Sequence, residues 1–71
     1  NLDRVIGCTA RVTEEIDNEA GTGAVYVEGK TWTARSSDGT VLPIGTRVIA
    51  ERMEGVKLYV KPEPVSSTRQ S

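Results

Sequence analysis

Few side chains in this sequence could carry out catalysis. The chain has no histidine and one cysteine, Cys8. A nucleophile needs an activating base beside it, and histidine is the commonest base in this role. No third residue is available to orient Cys8, so we expect a domain without enzymatic activity.

Two features could still bind or react. The carboxylates of Glu14, Glu15, Asp17 and Glu19 could bind a hard cation, but their spacing lacks the calcium-loop pattern, and we interpret them as a solvated acidic turn. Cys8 could be a reactive thiol, but its strand neighbours are apolar, and the sequence places no lysine or histidine to activate it. Core packing is the favoured role for Cys8, because free cysteine behaves as a small hydrophobe. We therefore expect no metal and no cofactor.

Aromatic and cationic side chains offer a different chemistry. Small barrels that bind single-stranded nucleic acid stack bases on aromatic rings, and the residues available for this are Trp32, Tyr26, Lys30, Arg35 and Arg47. However, nine basic and ten acidic residues give a formal net charge of −1, whereas a cationic groove normally supplies most of the affinity for nucleic acid. Trp32 also shares the inward register of Ala34, so we predict that it fills the core. Single-stranded nucleic-acid binding is kept as the alternative function.

The elements that must position these residues are β-strands. Alternation of apolar and polar residues is the period of a half-buried strand. It begins over 6–12 and continues past a bulge or bend, with the inward residues Ile6, Cys8, Ala10, Val12 and Ile16. After a turn over 17–21, the stretches 23–28 and 31–35 predict a hairpin, with Gly29 and Lys30 as a type II′ turn.

The second half of the sequence predicts another hairpin. Residues 36–40 are rich in loop formers, and Pro43 keeps the apolar bridge 41–45 out of a ladder interior. Stretches 46–53 and 56–60 alternate again, with a turn at Glu54 and Gly55. Because no helical stripe persists for three turns, we predict an all-β fold, a small, partly open five-stranded barrel of the OB type. An SH3-like barrel is the structural alternative.

Composition sets the expected boundaries of the domain. We predict a barrel over 1–62 and a flexible polar tail over 63–71, where a Ser-rich run leaves only Val65 to bury. No apolar run approaches the 18 or so residues that span a bilayer. Since the chain also starts without methionine, we expect it to be part of a longer protein.

Specific stretches of the sequence resemble a known family. These are Gly7 near the start of the first strand and the segments 23–29, 32–36, 44–50 and 54–62. In this order and spacing they cover roughly residues 6–62, and they resemble the C-terminal domain of the nodulation efficiency protein D (NfeD) family.

The resemblance implies both a fold and a function. It implies an OB-like barrel that lacks the helix between strands three and four, attached to the cell membrane by helices outside this chain and lying on the cytoplasmic side. It also implies a non-catalytic protein-interaction or scaffolding role, with stomatin-, flotillin- or prohibitin-like membrane scaffold proteins as partners, or with a second copy of the barrel. Strand parity then suggests an exposed apolar contact surface made by Tyr26, Ile49, Met53 and Tyr59.

Overall fold

The structure is a computed structural model that describes residues 2–64. A short 3₁₀ helix, Leu2–Val5, comes first. Five strands follow: β1 (Thr9–Asp17), β2 (Thr22–Val27), β3 (Lys30–Ser36), β4 (Arg47–Glu54) and β5 (Lys57–Pro62). Within 2–64, no helix has the length and hydropathy needed to cross a bilayer.

The strands close into a barrel in the order β1-β2-β3-β5-β4. β3 and β5 run parallel, and the other four contacts are antiparallel. The predicted OB-like five-stranded barrel is therefore confirmed, and residues 37–46, between β3 and β4, contain no helix. The barrel is closed rather than partly open, because β1 pairs with β4.

Aliphatic side chains fill the barrel. Alternate residues of all five strands point inward, and the most deeply buried are Ile16, Val25, Ala34, Val48, Leu58 and Val60. The prediction for β1 was right for Ala10, Val12 and Ile16 but wrong for Ile6, which is 37% exposed. The 3₁₀ helix turns the chain before β1 begins, so that Val5 enters the core in place of Ile6. Cys8 is half-buried against the core, as expected for a packing role.

The segment between β3 and β4 closes one side of β1. Leu42 and Ile16 exchange both backbone hydrogen bonds, at 2.9 and 3.0 Å. Farther along, Gly45 donates to the Val12 carbonyl at 2.8 Å, and Val12 donates to the Thr46 carbonyl at 2.9 Å. An extended segment thus satisfies the β1 backbone groups that would otherwise lie at an edge, and Leu42 joins the core.

Gly23 allows the sheet to curve at its most crowded point. Its φ is 143°, and an added Cβ would lie 2.4 Å from the Ala34 carbonyl oxygen and 3.0 Å from a side-chain carbon of Ile16. β1 has register shifts between Val12 and Glu14 and again between Glu14 and Asp17, opposite this part of β2. Glycine is required here because no side chain fits between β1 and β3.

The hairpin turns differ from the prediction by one residue. Val27 pairs with Lys30, so the β2–β3 turn consists of Glu28 and Gly29, with φ values of 55° and 81°. Two positive φ values belong to a type I′ turn, and the predicted type II′ turn at Gly29 and Lys30 is wrong. The β2–β3 turn thus lies one residue earlier than predicted. The β4–β5 turn, predicted at Glu54 and Gly55, lies one residue later, because Glu54 pairs with Lys57.

Polar side chains fix the end of β3. The Asn18 side-chain amide donates to the Ser36 carbonyl and accepts from the Ser36 N–H, both at 2.9 Å. The buried Ser36 hydroxyl donates to Asp38 Oδ1 at 2.9 Å, and the Thr40 N–H donates to the same oxygen at 3.0 Å. These bonds, led by the one from Thr40, hold the pKa of Asp38 below its ordinary value.

The end of the described chain remains attached to β4. Glu63 donates its N–H to the Arg47 carbonyl at 2.9 Å, although the prediction assigned Glu63 to the tail. Residues 65–71, most of that predicted tail, lie outside the described residues. The barrel boundary at 62 stays a prediction.

Candidate interaction surface

Tyr26 lies on the outer face of β2 at the edge of a shallow groove. It is 51% exposed and sits directly opposite Arg11 of β1. The groove has a volume of about 430 Å³ and is lined by Thr9, Ala10, Arg11, Tyr26 and Arg47. Its walls combine one aromatic ring with two guanidinium groups, so it can accept both apolar and anionic groups.

Two arginines face each other in this groove. Arg11 pairs with Arg47 across the β1–β4 ladder, and both residues are exposed. Arg47 Nε lies 2.8 Å from Glu63 Oε1. Among the ion pairs of the residues that the structure describes, none includes Arg11. The row Tyr26, Arg11, Arg47 therefore crosses three neighbouring strands and carries a local excess of positive charge.

Ile49 lies beside the groove. It is half-buried on β4, opposite Thr9 on one side and Lys61 on the other. Since Thr9 lines the groove, its ladder partner Ile49 lies next to the groove on β4. Two of the four residues predicted to form the contact surface, Tyr26 and Ile49, are thus brought close to one groove.

Met53 belongs to the interior rather than to this surface. It is half-buried and packs against the core. Parity along β4 predicted an outward side chain, but the register shifts between Ala50 and Arg52. This bulge reverses the alternation, and Met53 then pairs with the buried Leu58. The prediction that Met53 is exposed is wrong.

Tyr59 is on a different part of the barrel. It is half-buried on β5, and the guanidinium carbon of Arg52 lies 4.4 Å from its ring centroid. Arg52 is held in turn by Glu54, with Nε 2.6 Å from the carboxylate, and this hydrogen bond raises the pKa of Arg52. Tyr59 pairs with a β3 residue four positions from the partner of Tyr26, or about 13 Å along the strand. The two tyrosines do not form one surface.

The aromatic and cationic residues considered for nucleic-acid binding do not form one surface either. Trp32 faces inward beside Val25 and packs against the core, as predicted. Its side chain is only half-buried, however, so it does not fill the centre of the core. Its indole N–H donates to the Val27 carbonyl at 3.1 Å, and Lys30 Nζ lies 4.8 Å from its ring centroid. Arg35 donates to two backbone carbonyls, at 2.7 and 2.9 Å.

Two carboxylates of the acidic turn accept hydrogen bonds from nearby backbone N–H groups. Asp17 Oδ1 accepts the N–H groups of Glu19 and Ala20 at 3.0 and 3.2 Å, and Glu14 Oε1 accepts the Gly23 N–H at 3.2 Å. Within residues 2–64, no group of three or more histidine, cysteine or acidic side chains is placed to hold a metal ion.

Sequence reasoning missed the most important residue of the groove. Arg11 has the parity of an outward residue, but nothing in the sequence shows that Arg47 lies opposite it, because β1 and β4 are far apart along the chain. Three exposed apolar side chains were also missed: Val41 and Ile44 in the crossover segment, and Val56, which is 81% exposed in the β4–β5 turn. All three lie where the alternation of the strands is interrupted.

The fold and the groove define a small recognition barrel of the OB type. The family model described as the NfeD-like C-terminal, partner-binding domain matches residues 2–62, and the chain belongs to this family. The predicted resemblance is thus confirmed.

Two solved structures support this assignment. The C-terminal domain of the stomatin operon partner protein from Pyrococcus horikoshii is 31% identical, with a TM-score of 0.77 over 87% of this chain and 92% of that one. The soluble domain of a membrane protein implicated in regulation of membrane protease activity, from Corynebacterium glutamicum, is 28% identical, with a TM-score of 0.81 over 90% of this chain and 100% of that one. No protein with a curated description matches the chain significantly.

Family and geometry together decide between the two functions considered from the sequence. The family is a partner-binding one, so the chain is a protein-interaction domain. Single-stranded nucleic-acid binding is not supported, since Trp32 is turned inward and the guanidinium of Arg35 is bonded to backbone carbonyls.

Proposed function

We propose that this barrel binds a stomatin-like membrane protein through the face that carries Tyr26. The observation that carries the proposal is the half-exposed Tyr26 ring beside a groove, in a chain of a partner-binding family. The relative from Pyrococcus horikoshii is described as a partner encoded in a stomatin operon, which suggests the class of partner. Flotillin- and prohibitin-like scaffold proteins are the related candidates.

The chemistry of the groove suits protein recognition. Tyrosine and arginine are enriched at the energetic centres of interfaces, because each offers a large contact area and a polar group. Here both residue types lie on strands of a closed barrel, so little backbone conformational entropy is lost when a partner binds. We propose a non-catalytic role, in which the barrel supplies a fixed surface.

We further propose that the domain is attached to membrane helices outside these 71 residues and lies on the cytoplasmic side. The relative from Corynebacterium glutamicum is a soluble domain of a membrane protein. The single thiol of these 71 residues, Cys8, is half-buried and unpaired, which suits a reducing compartment. In intact cells, an impermeant maleimide should label Cys8 of the full-length protein only after permeabilisation. Labelling of intact cells would place the domain outside.

Calorimetric titration with the soluble domain of a stomatin-like protein from the same organism tests the function. We expect saturable binding by the wild-type barrel and affinity lowered about tenfold or more by Tyr26→Ala. Val56→Ser is the matched control, because Val56 is also an exposed apolar residue but lies in the β4–β5 turn, away from the groove. Absence of binding by the wild-type barrel, or equal losses in the two variants, would contradict the proposal.

Sedimentation of the barrel alone tests the other proposed partner, a second copy of the chain. A dimer that is lost in Tyr26→Ala would identify the groove as a self-association surface. A monomer at all concentrations would leave the stomatin-like protein as the proposed partner.

A further inference from the structure

The pairing of Arg11 with Arg47 places two positive charges directly opposite each other on neighbouring strands. Residues directly opposite in an antiparallel pair have Cβ atoms about 5 Å apart, and like charges at that distance destabilise the sheet. Within residues 2–64, the four ion pairs include Arg47 but not Arg11. Local conflicts of this kind occur mainly at functional sites, where a ligand resolves them.

One carboxylate already lies at this pair. Glu63 Oε1 accepts a hydrogen bond from Arg47 Nε at 2.8 Å. This contact uses Nε of Arg47, and the Glu63 side chain remains one-third exposed. The contact with Glu63 therefore shows that Arg47 of this arginine pair can bind a carboxylate.

We infer that the groove binds an acidic peptide segment of the partner, with a carboxylate placed between Arg11 and Arg47 and an adjacent apolar side chain against Tyr26. This inference rests on the proposed partner-binding function and specifies the partner's chemistry. A carboxylate accepts a charge-assisted hydrogen bond from each guanidinium and removes the repulsion between them. The groove, at about 430 Å³, is large enough for the carboxylate and the adjacent apolar side chain.

A carboxylate suits this site better than a phosphate backbone. Nucleic acid requires a track of cations along several nucleotides. Here Arg35 binds carbonyls, Arg52 binds Glu54 and Lys61 binds Glu51. Lys57 lies in the β4–β5 hairpin, away from the groove, so the two arginines do not continue into such a track. Two neighbouring arginines with one tyrosine match a short acidic and apolar motif.

Glu63 has a defined role in this inference. Its carboxylate competes with the peptide for Arg47, so binding of a partner displaces it. Glu63→Gln should strengthen peptide binding two- to threefold, because the glutamine amide is a weaker acceptor for a guanidinium. Glu51→Gln is the matched control: it removes the same charge from an ion pair with Lys61, outside the groove.

Fluorescence anisotropy with a labelled peptide tests the inference. The probe is fluorescein-Gly-Glu-Leu-Glu-Gly, with the glutamine version of the same peptide and a single-stranded oligothymidylate as comparisons. We expect the acidic peptide to bind, added salt to weaken it, and Arg11→Gln to lower its affinity about tenfold. Lys57→Gln, which removes the same charge from the β4–β5 hairpin, should leave the affinity unchanged.

A thermal melt separates loss of the site from loss of the fold. Because Arg11→Gln removes a like-charge contact, this variant should melt at or above the wild-type temperature while losing peptide affinity. Equal binding of the glutamate and glutamine peptides, tighter binding of oligothymidylate, or equal affinities of Arg11→Gln and Lys57→Gln would each overturn the inference.

The inference and the proposed function can fail separately. If the stomatin-like domain binds wild-type and Arg11→Gln barrels equally, the function stands and the acidic motif is wrong. If the acidic peptide binds through Arg11 but the stomatin-like domain does not bind at all, the chemistry of the groove stands and the proposed partner is wrong.

Discussion

Tyr26 and Tyr59 are the same residue type in similar positions, yet they do different things. Each lies near the outer face of a strand and has an arginine as a neighbour. Arg52 stacks on Tyr59 and forms an ion pair with Glu54, so the guanidinium of Arg52 already has its partners within the chain. Arg11, beside Tyr26, faces a second arginine instead of a carboxylate.

A tyrosine with an arginine beside it is therefore not enough to identify a binding surface. An arginine stacked on a tyrosine and paired with glutamate has its electrostatic partners already and contributes to stability. The exposed Tyr26 lies beside Arg11, which has no ion pair within residues 2–64, so a partner can supply these interactions. The two tyrosines are therefore predicted to differ in what their removal changes.

Substitution of Gly23 should destabilise the whole barrel, and with it the surfaces around both Tyr26 and Tyr59. Gly23→Ala places a Cβ 2.4 Å from the Ala34 carbonyl oxygen, so β2 and β3 must separate. We expect a loss of about 3 kcal/mol or more of the free energy of unfolding, measured by urea denaturation. Gly39→Ala is the control, because its φ of 86° is also positive but no atom lies within 4 Å of the added Cβ. It should cost only about 1 kcal/mol, and equal losses would show that the crowding at Gly23 is unimportant.

The next effect concerns the third aromatic residue, Trp32. Its ring is half-buried and covered by Lys30, an arrangement similar to Tyr59 under Arg52. Trp32→Ala should cost about 2 kcal/mol, less than the 3 to 5 or so for a fully buried tryptophan. Leu58→Ala, in the fully buried core, provides the reference in the same denaturation series. A loss for Trp32→Ala as large as that for a fully buried ring would mean that the barrel end is closed over it.

The two tyrosines give the direct contrast. Tyr59→Ala should cost about 1 kcal/mol of stability, because the ring is half-buried and stacked, and should leave partner affinity unchanged. Tyr26→Ala should cost about 0.5 kcal/mol or less and weaken the partner. Urea denaturation measures the stability of the two variants, and calorimetry measures their affinity for the partner. If Tyr59→Ala weakened partner binding and Tyr26→Ala did not, the binding surface would be the one around Tyr59.

The smallest effect is a pH dependence at the end of β3. The pKa of Asp38 is lower in the folded chain than in the unfolded chain, so protonation favours unfolding. Its stabilisation is complete above the unfolded pKa and is lost as pH falls through the lowered folded pKa. Asp38→Asn should therefore reduce the acid-induced fall in melting temperature relative to the wild type. An unchanged acid limb would show that the hydrogen bonds from Thr40 and Ser36 do not stabilise the charged form.

Much of the fold could be predicted because strand alternation is a local property. Ala10, Val12, Ile16 and Ala34 were all assigned correctly to the interior by parity. Parity failed where the backbone departs from a regular strand, at the bulge that turns Met53 inward and at the 3₁₀ helix that buries Val5. The bend in β1 could be predicted, because Glu14 interrupts the alternation between Val12 and Ile16. The alternation over 46–53 gave no such sign of the β4 bulge.

The site was less predictable because it depends on pairing between distant strands. Tyr26 could be identified from its outward parity and exposed ring. Arg11 becomes significant only when β1 is known to lie between β2 and β4, which places Arg11 beside Tyr26 on one side and Arg47 on the other. Strand alternation and the family resemblance predicted the fold. The groove could be identified only from the register between the strands.

The most direct test is a nuclear magnetic resonance titration of the isotope-labelled barrel with the soluble domain of a stomatin-like protein. We predict that the amide signals that shift belong to β1, β2 and β4 around Tyr26, Arg11 and Arg47, while those around Tyr59 and Arg52 stay in place. Shifts confined to the Tyr59 side, or no shifts at saturating partner, would contradict the account.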